Sequence, residues 1–206
     1  MNIATEEKEL ATFYGHPPIV VHLQPVLNLS DEQLYDFSRI NRELRIERNT
    51  RGELIIMSPT GGDTGERNAE ITTQLRLWAK RDGTGATFDS STGFRLPNRA
   101  VRSPDAAWIP YARLDNLTAE QRKKFIPLCP DFVIELRSAT DSLNDLQDKM
   151  QEFLDNGTQL GWLIDSEQQR VYVYQPDKPI HELNNLETIS GDPLLSGFEL
   201  DLREIW

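Results

Sequence analysis

Apolar residues recur along this chain with two periods, and the changes from one period to the other set out its elements. Ser30 followed three residues on by Gln33 is a capping box, and Leu34, Phe37, Ile40 and Leu44 continue at near-helical spacing, so a first helix is expected over about residues 31–41. Residues 44–48 then alternate in polarity, residues 49–52 turn, and residues 53–57 return as the more buried arm of a hairpin. A glycine-rich stretch, residues 58–65, leads into a second helix, for which Asp63 and Glu66 form another box and Ile71, Leu75 and Trp78 the apolar face. Residues 86–89 and 92–96 read as short strands. Residues 105–109 form a small apolar strand opened by Asp105 directly after Pro104, and residues 115–124 a polar excursion with a short helix capped by Thr118 and Gln121. Phe132, Val133, Ile134 and Leu136 then make a strand that runs through the N-capping turn at 138–142 into a helix marked by Leu143, Leu146, Met150, Phe153 and Leu154 and stopped by Asn156-Gly157. A hairpin from residues 160–165 and 170–174 follows, and residues 181–186 and 194–202 close the chain as strands or loops.

Composition narrows the class. At 206 residues with 38% hydrophobic and 27% charged positions, the chain suits one well-buried domain, expected over residues 29–206, after an arm at residues 1–28 that carries Pro17, Pro18 and Pro25 and at most one edge strand. The first dozen residues are expected to be mobile. No apolar run approaches membrane-spanning length and the amino end lacks a signal-peptide pattern, so a cytoplasmic protein without membrane contact is expected. Cys129, the single cysteine, excludes an intramolecular disulfide and reads as a buried or half-buried thiol, and His16, His22 and His181 have no zinc-site spacing. The net charge of −11 argues against binding nucleic acid through bulk electrostatics; any such contact must be local.

Within this frame the chemical signals are carboxylates. Glu135 among strand-forming apolar residues needs a cation or a metal as partner. Asp105 opens the preceding buried strand, and adjacent strands would bring the two acids to one sheet end, where a hard divalent ion takes one or two carboxylates and several waters. The glycine-rich loop at 58–65 invites a phosphate-binding reading, but the lysine and hydroxyl partner of a P-loop are absent, and a tight strand-to-helix turn accounts for it better. Glu66 either complements the helix dipole or reaches the site of Glu135. Arg95, Arg99 and Arg102, with Arg76, Lys80 and Arg81, are either solvated faces or a stripe for a nucleic-acid backbone.

The ordered set Ser-Pro-Asp105, Pro-Asp-Phe-Val-Ile-Glu135-Leu-Arg137-Ser138, Asp141 with Lys149 in the next helix, and Gly-Trp-Leu-Ile-Asp165 resembles the Uma-type restriction endonucleases of the PD-(D/E)XK superfamily, from about Leu29 to near the carboxyl end. The resemblance implies an α/β (α+β) restriction-endonuclease-like core, a central mixed sheet flanked by helices, with an amino-terminal helix and hairpin as additions. It implies hydrolysis of DNA phosphodiester bonds dependent on Mg2+, with Mn2+ as a substitute. Asp105 and Glu135 would be the metal-binding acids and Glu66 an extra acid from the early helix. The superfamily lysine is replaced by Arg137, which stays protonated and can steady charge or pin a phosphate but cannot accept a proton. The resemblance places the lysine on the following helix as Lys149, whereas spacing alone would pair Lys149 with Asp145 on a solvated face. A homodimer is expected, since cuts on two strands suit twofold symmetry. Two other readings remain open: a nuclease-like domain without turnover that acts as a binding or assembly module, and a phosphodiesterase for structured or single-stranded nucleic acid.

Overall fold

Successive side chains of a strand point to opposite faces of its sheet, so the central strands of this protein each serve two cores. The computed structural model describes residues 18–206; the expected mobile first dozen and most of the expected arm lie outside the described residues. In chain order the described elements are β1 (Ile19–Val21), α1 (Asp31–Ile40), β2 (Arg45–Arg48), β3 (Leu54–Met57), α2 (Gly62–Asp82), β4 (Gly85–Asp89), β5 (Phe94–Arg95), β6 (Val101–Arg102), β7 (Ala106–Pro110), α3 (Tyr111–Leu114), α4 (Ala119–Arg122), β8 (Phe132–Leu136), α5 (Leu143–Asp155), β9 (Leu160–Asp165), β10 (Arg170–Tyr174), β11 (His181–Asn184), β12 (Thr188–Ser190) and β13 (Glu199–Asp201). No helix among them is long and apolar enough to cross a membrane.

The main sheet has six strands in the order β11-β10-β9-β8-β7-β4 and is mixed: β8 and β9 run parallel and every other neighbouring pair is antiparallel. A parallel pair needs a crossover, and α5 supplies it. Ala106 and Trp108 of β7, Phe132, Ile134 and Leu136 of β8 and Trp162 and Ile164 of β9 face one core, which α2 covers with Ile71, Leu75 and Trp78 and the carboxyl-terminal segment with Phe198 and Leu200. Ala107 and Ile109, Val133, and Leu163 face the other, which α5 covers with Met150 and Phe153. Met150 of α5 lays its terminal methyl over Gly161, where an added Cβ would sit 2.5 Å from Met150 Cε. Gly161→Ala is therefore expected to displace the Met150 methyl and to cost about 1 kcal/mol, at the low end of overpacking because that side chain can turn aside, read as a slightly lower midpoint of urea unfolding.

A second sheet, in the order β1-β3-β2-β6-β5, packs with α1 around Leu34, Ile46, Leu54 and Val101. Its edge strand β1 is the one expected in the arm. The Ser30–Gln33 box caps α1 as expected, and Thr118–Gln121 caps α4. Two expectations change. The Asp63–Glu66 box does not form: α2 starts earlier, with Gly61 as an N-cap that makes no side-chain bond, so Glu66 sits a full turn inside the helix. In the β2–β3 hairpin it is the first arm that is more buried: β2 is the middle strand of this sheet and its Glu47 and Arg48 are turned into buried contacts, whereas β3 lies next to the exposed edge strand β1.

Candidate active site

The register of β7 against β8 pairs Ala107 with Val133 and Ala106 with Ile134; one step further along the same ladder sets Asp105 opposite Glu135. The backbone N–H of Leu136 donates to Asp105 Oδ2 (2.9 Å), fixing that carboxylate at the end of the ladder. Glu135 shares its face with Val133, so its side chain lies on the α5 side of the sheet. On α5, Lys149 precedes Phe153 by one turn and is likewise turned inward: Lys149, Glu135 and Asp105 are 8%, 3% and 7% exposed. Lys149 Nζ is 2.7 Å from Glu135 Oε1. Its angles fall outside hydrogen-bond geometry, and Glu135 Oε1, although buried, has no hydrogen-bond partner. The alternative pairing with Asp145 is not what the structure shows; Asp145 lies exposed one turn earlier.

The second sheet completes the cluster. Arg45 and Glu47 alternate with Ile46 and Arg48 along β2, so packing Ile46 into the small core turns Glu47 toward the acids. Glu47 Oε1 accepts from Lys149 Nζ (2.9 Å) and the Ser103 N–H (2.9 Å), and Oε2 accepts from Arg102 Nη1 (3.1 Å). Lys149 Nζ also donates to the Ser103 carbonyl (3.2 Å), so two hydrogen-bond acceptors hold the ammonium while it faces Glu135 as an ion pair. Arg45 donates through Nη1 to Asp105 Oδ1 (3.3 Å) and through Nη2 to the Ser103 carbonyl (2.5 Å), leaving its buried Nε without a partner. Arg102 Nε donates to Glu152 Oε2 (2.5 Å) on α5.

These contacts sort the carboxyl groups. Burial would push Glu47 up, but Lys149, Arg102 and Arg45 outweigh it and hold its pKa down to about 2. Burial pushes Glu135 up to about 8; Lys149 works against burial, but the like charges of Asp105 and Glu47 reinforce it. For Lys149 burial pulls downward and the two glutamates overcome it, so the ammonium pKa is raised and the group is a fixed cation. The donor set of Asp105 and Glu135 is all oxygen, suited to a hard divalent ion that takes one or two carboxylates and keeps its waters. Glu135 Oε1 is a buried carboxylate oxygen that faces the Lys149 ammonium at 2.7 Å without a hydrogen bond, a charged acceptor that such an ion could share. Among the described residues no group of three or more His, Cys, Asp or Glu is arranged to hold a metal, and the carboxylates of this cluster face cations.

Two expected site residues stand apart. Arg137 donates from Nη1 to the buried Asp165 (2.6 Å) and from Nε to the Asp141 carbonyl (3.4 Å), tying the end of β8 to β9 and to the turn before α5. Glu66 is exposed on α2, the helix that covers the opposite face of the sheet, and no ion pair or hydrogen bond among the described residues joins it to the cluster. Of the arginine stripe, Arg102 is buried in the cluster, Arg95 pairs with Asp31 (3.4 Å), and Arg99 is exposed with a positive φ of 74°. Cys129 is buried as expected, its thiol pushed up to about 11 by burial.

A mixed sheet flanked by helices, with one acid directly before β7, another on the adjacent β8 and a lysine from α5, the crossover from β8 to β9, defines a restriction-endonuclease-like α/β protein. Residues 31–203 match the Uma2 family, described as putative restriction endonuclease, and the chain belongs to that family. Its fold is similar to the crystal structure of a putative nuclease belonging to DUF820 from Anabaena variabilis ATCC 29413, with a TM-score of 0.65 and 21% identity over 78% of this chain and 88% of that one. A search of curated proteins finds no match.

Proposed function

We propose that this protein is a divalent-metal-dependent endonuclease that hydrolyses DNA phosphodiester bonds, with Mg2+ as its ion and Mn2+ as a substitute. The observation that carries the reading is the convergence of Asp105, Glu135 and Lys149, with one Glu135 oxygen left without a hydrogen bond. Asp105 and Glu135 would hold the ion. Such an ion, when bound, lowers the pKa of a coordinated water and screens the scissile phosphate. The chain's own groups have distinct tasks. Glu135 must lose its proton before it can act as a ligand. Lys149, whose ammonium the two glutamates favour, would donate toward the reacting oxygens. Arg45, whose side chain is 32% exposed against 8% or 9% for Asp105 and Lys149, stands at the solvent side of the cluster and meets an incoming phosphate first. Arg137 is assigned to bracing the ends of β8 and β9, which adds positive potential there, and Glu66 is left outside the ligand set. A homodimer is the assembly that cleavage of two antiparallel strands favours.

One observation favours a second reading, a binding module without turnover: Arg45 occupies an Asp105 oxygen and Lys149 sits against Glu135, so the cluster balances much of its charge without an ion. Incubation of supercoiled plasmid with each divalent ion, beside a calorimetric Mn2+ titration, separates the two. Nicking or linearisation that EDTA abolishes is expected. Neither cleavage nor Mn2+ binding under any ion would overturn the nuclease proposal in favour of the module.

A further inference from the structure

Glu47 lies outside the motif on which the proposed chemistry draws, yet it holds more donors than any other acid of the cluster. Three N–H groups converge on its two oxygens: Lys149 Nζ and Ser103 N on Oε1, and Arg102 Nη1 on Oε2. At 2% exposure it is closed to a substrate phosphate. What it touches are the ammonium that faces Glu135 and the turn, residues 103–105, that ends in Asp105. Its strand is a firm base for this: β2 is hydrogen-bonded to β3 and β6, and Ile46 is packed in the small core on the other face. The same carboxylate reaches α5 a second time through Arg102, which bridges it to Glu152, three residues beyond Lys149 on the same helix.

Resting on the nuclease reading, we infer that Glu47 is a positioning residue: it fixes the Lys149 ammonium beside Glu135, and the backbone that leads into Asp105, without itself binding ion or substrate. A carboxylate is required because every one of its partners is a donor. An amide has one acceptor oxygen, and its NH2 group would confront either Arg102 or the Lys149 and Ser103 pair. Without Glu47 the ammonium keeps only Glu135 and the Ser103 carbonyl, and a four-carbon stem lets it leave the geometry.

Glu47→Gln and Glu47→Asp test this, with two readouts. Amine labelling of the folded protein, followed by mass spectrometry, reports whether Lys149 is held. Cys129 reports the fold, since its thiol is buried against the Phe153 carbonyl of α5 and Thr158 and reacts with a thiol reagent only when that packing opens. In Glu47→Gln, Lys149 is expected to label several-fold faster than in the unaltered chain while Cys129 stays protected; Glu47→Asp, which keeps the charge on a shorter stem, should fall between. In the cleavage assay, kcat should drop by about 10²-fold with KM for DNA little changed, and Glu47→Asp should recover part of it. Mn2+ affinity should stay within about threefold, since Glu47 is not a ligand. Unchanged Lys149 labelling with Cys129 protected overturns the inference, as does an unchanged kcat with Lys149 released. If Glu47→Gln opens Cys129, Glu47→Asp decides alone by the same criteria. An unaltered protein that neither cuts DNA nor binds Mn2+ removes the nuclease reading instead, and the labelling result then still tells whether Glu47 holds Lys149.

Discussion

Glu135→Gln is expected to lower divalent-ion-dependent cleavage of plasmid DNA by about 10³-fold or more while leaving the fold intact. The amide preserves the shape of the side chain, removes the charge that a cation would bind, and keeps an acceptor for the Lys149 ammonium. Asp105→Asn should act in the same direction, because its Oδ2 can still accept from the Leu136 N–H while the ligand charge is lost. The informative feature is that activity and stability move apart. Glu135 is a carboxylate held in a place that disfavours its ionised form, so the amide relieves the buried charge and the midpoint of urea unfolding near pH 8 should rise as cleavage disappears. Cleavage by Glu135→Gln at the rate of the unaltered chain would withdraw the assignment.

The same group sets how stability depends on pH in the absence of divalent ions. The folded-state pKa of Glu135, about 8, lies above its ordinary value of 4.5, so folding favours the protonated form. This contribution is fully present below pH 4.5 and is lost as pH rises through about 8. The decline, on the order of a few kcal/mol, should be visible in urea midpoints measured with EDTA from pH 5 to pH 9. Other shifted groups act elsewhere. Glu47, held near 2, contributes stability above 4.5 that is lost only as pH falls through about 2. The Cys129 thiol, pushed from 9.0 to about 11, weakens the fold only above pH 9.0. Glu135→Gln should therefore flatten the curve between pH 5 and pH 9. A profile of unchanged slope in that variant would show that Glu135 ionises freely in the folded chain and that its burial has been misjudged.

The elements that local chemistry specifies were legible before any coordinates. Ser30 with Gln33 and Thr118 with Gln121 announce helix starts because both halves of each box lie within four residues, and α5 is announced by Ser142, its apolar stripe and Asn156. Asp105 and Glu135 stood out because each is a charge attached to a run of residues that belong in a core. The start of α2 is hidden in the sequence because glycine at the cap and in the first turn carries no side chain to signal where the helix begins. The strand expected over 92–96 shrinks to Phe94–Arg95, since Asp89 draws the Ser91 and Thr92 N–H groups into a turn. Glu47 and Arg45 went unnoticed for a different reason. Alternating charges on a hairpin arm ordinarily mark a wet face, and only the packing of one sheet against another, a contact between residues about 60 and 100 positions apart, turns that face inward. Family likeness singles out Lys149, whereas its spacing alone points to Asp145.

Because β2 supplies the counter-charge for a lysine lying 102 positions further along, the protein cannot be trimmed to the stretch that bears its recognisable signature. A fragment opening after Met57 would retain Asp105, Glu135 and Lys149 and satisfy any pattern search, yet it would have forfeited the wall against which the ammonium is set. In this family member the hairpin walls one side of the Asp105–Glu135–Lys149 cluster, and domain boundaries drawn around the motif alone would cut through it.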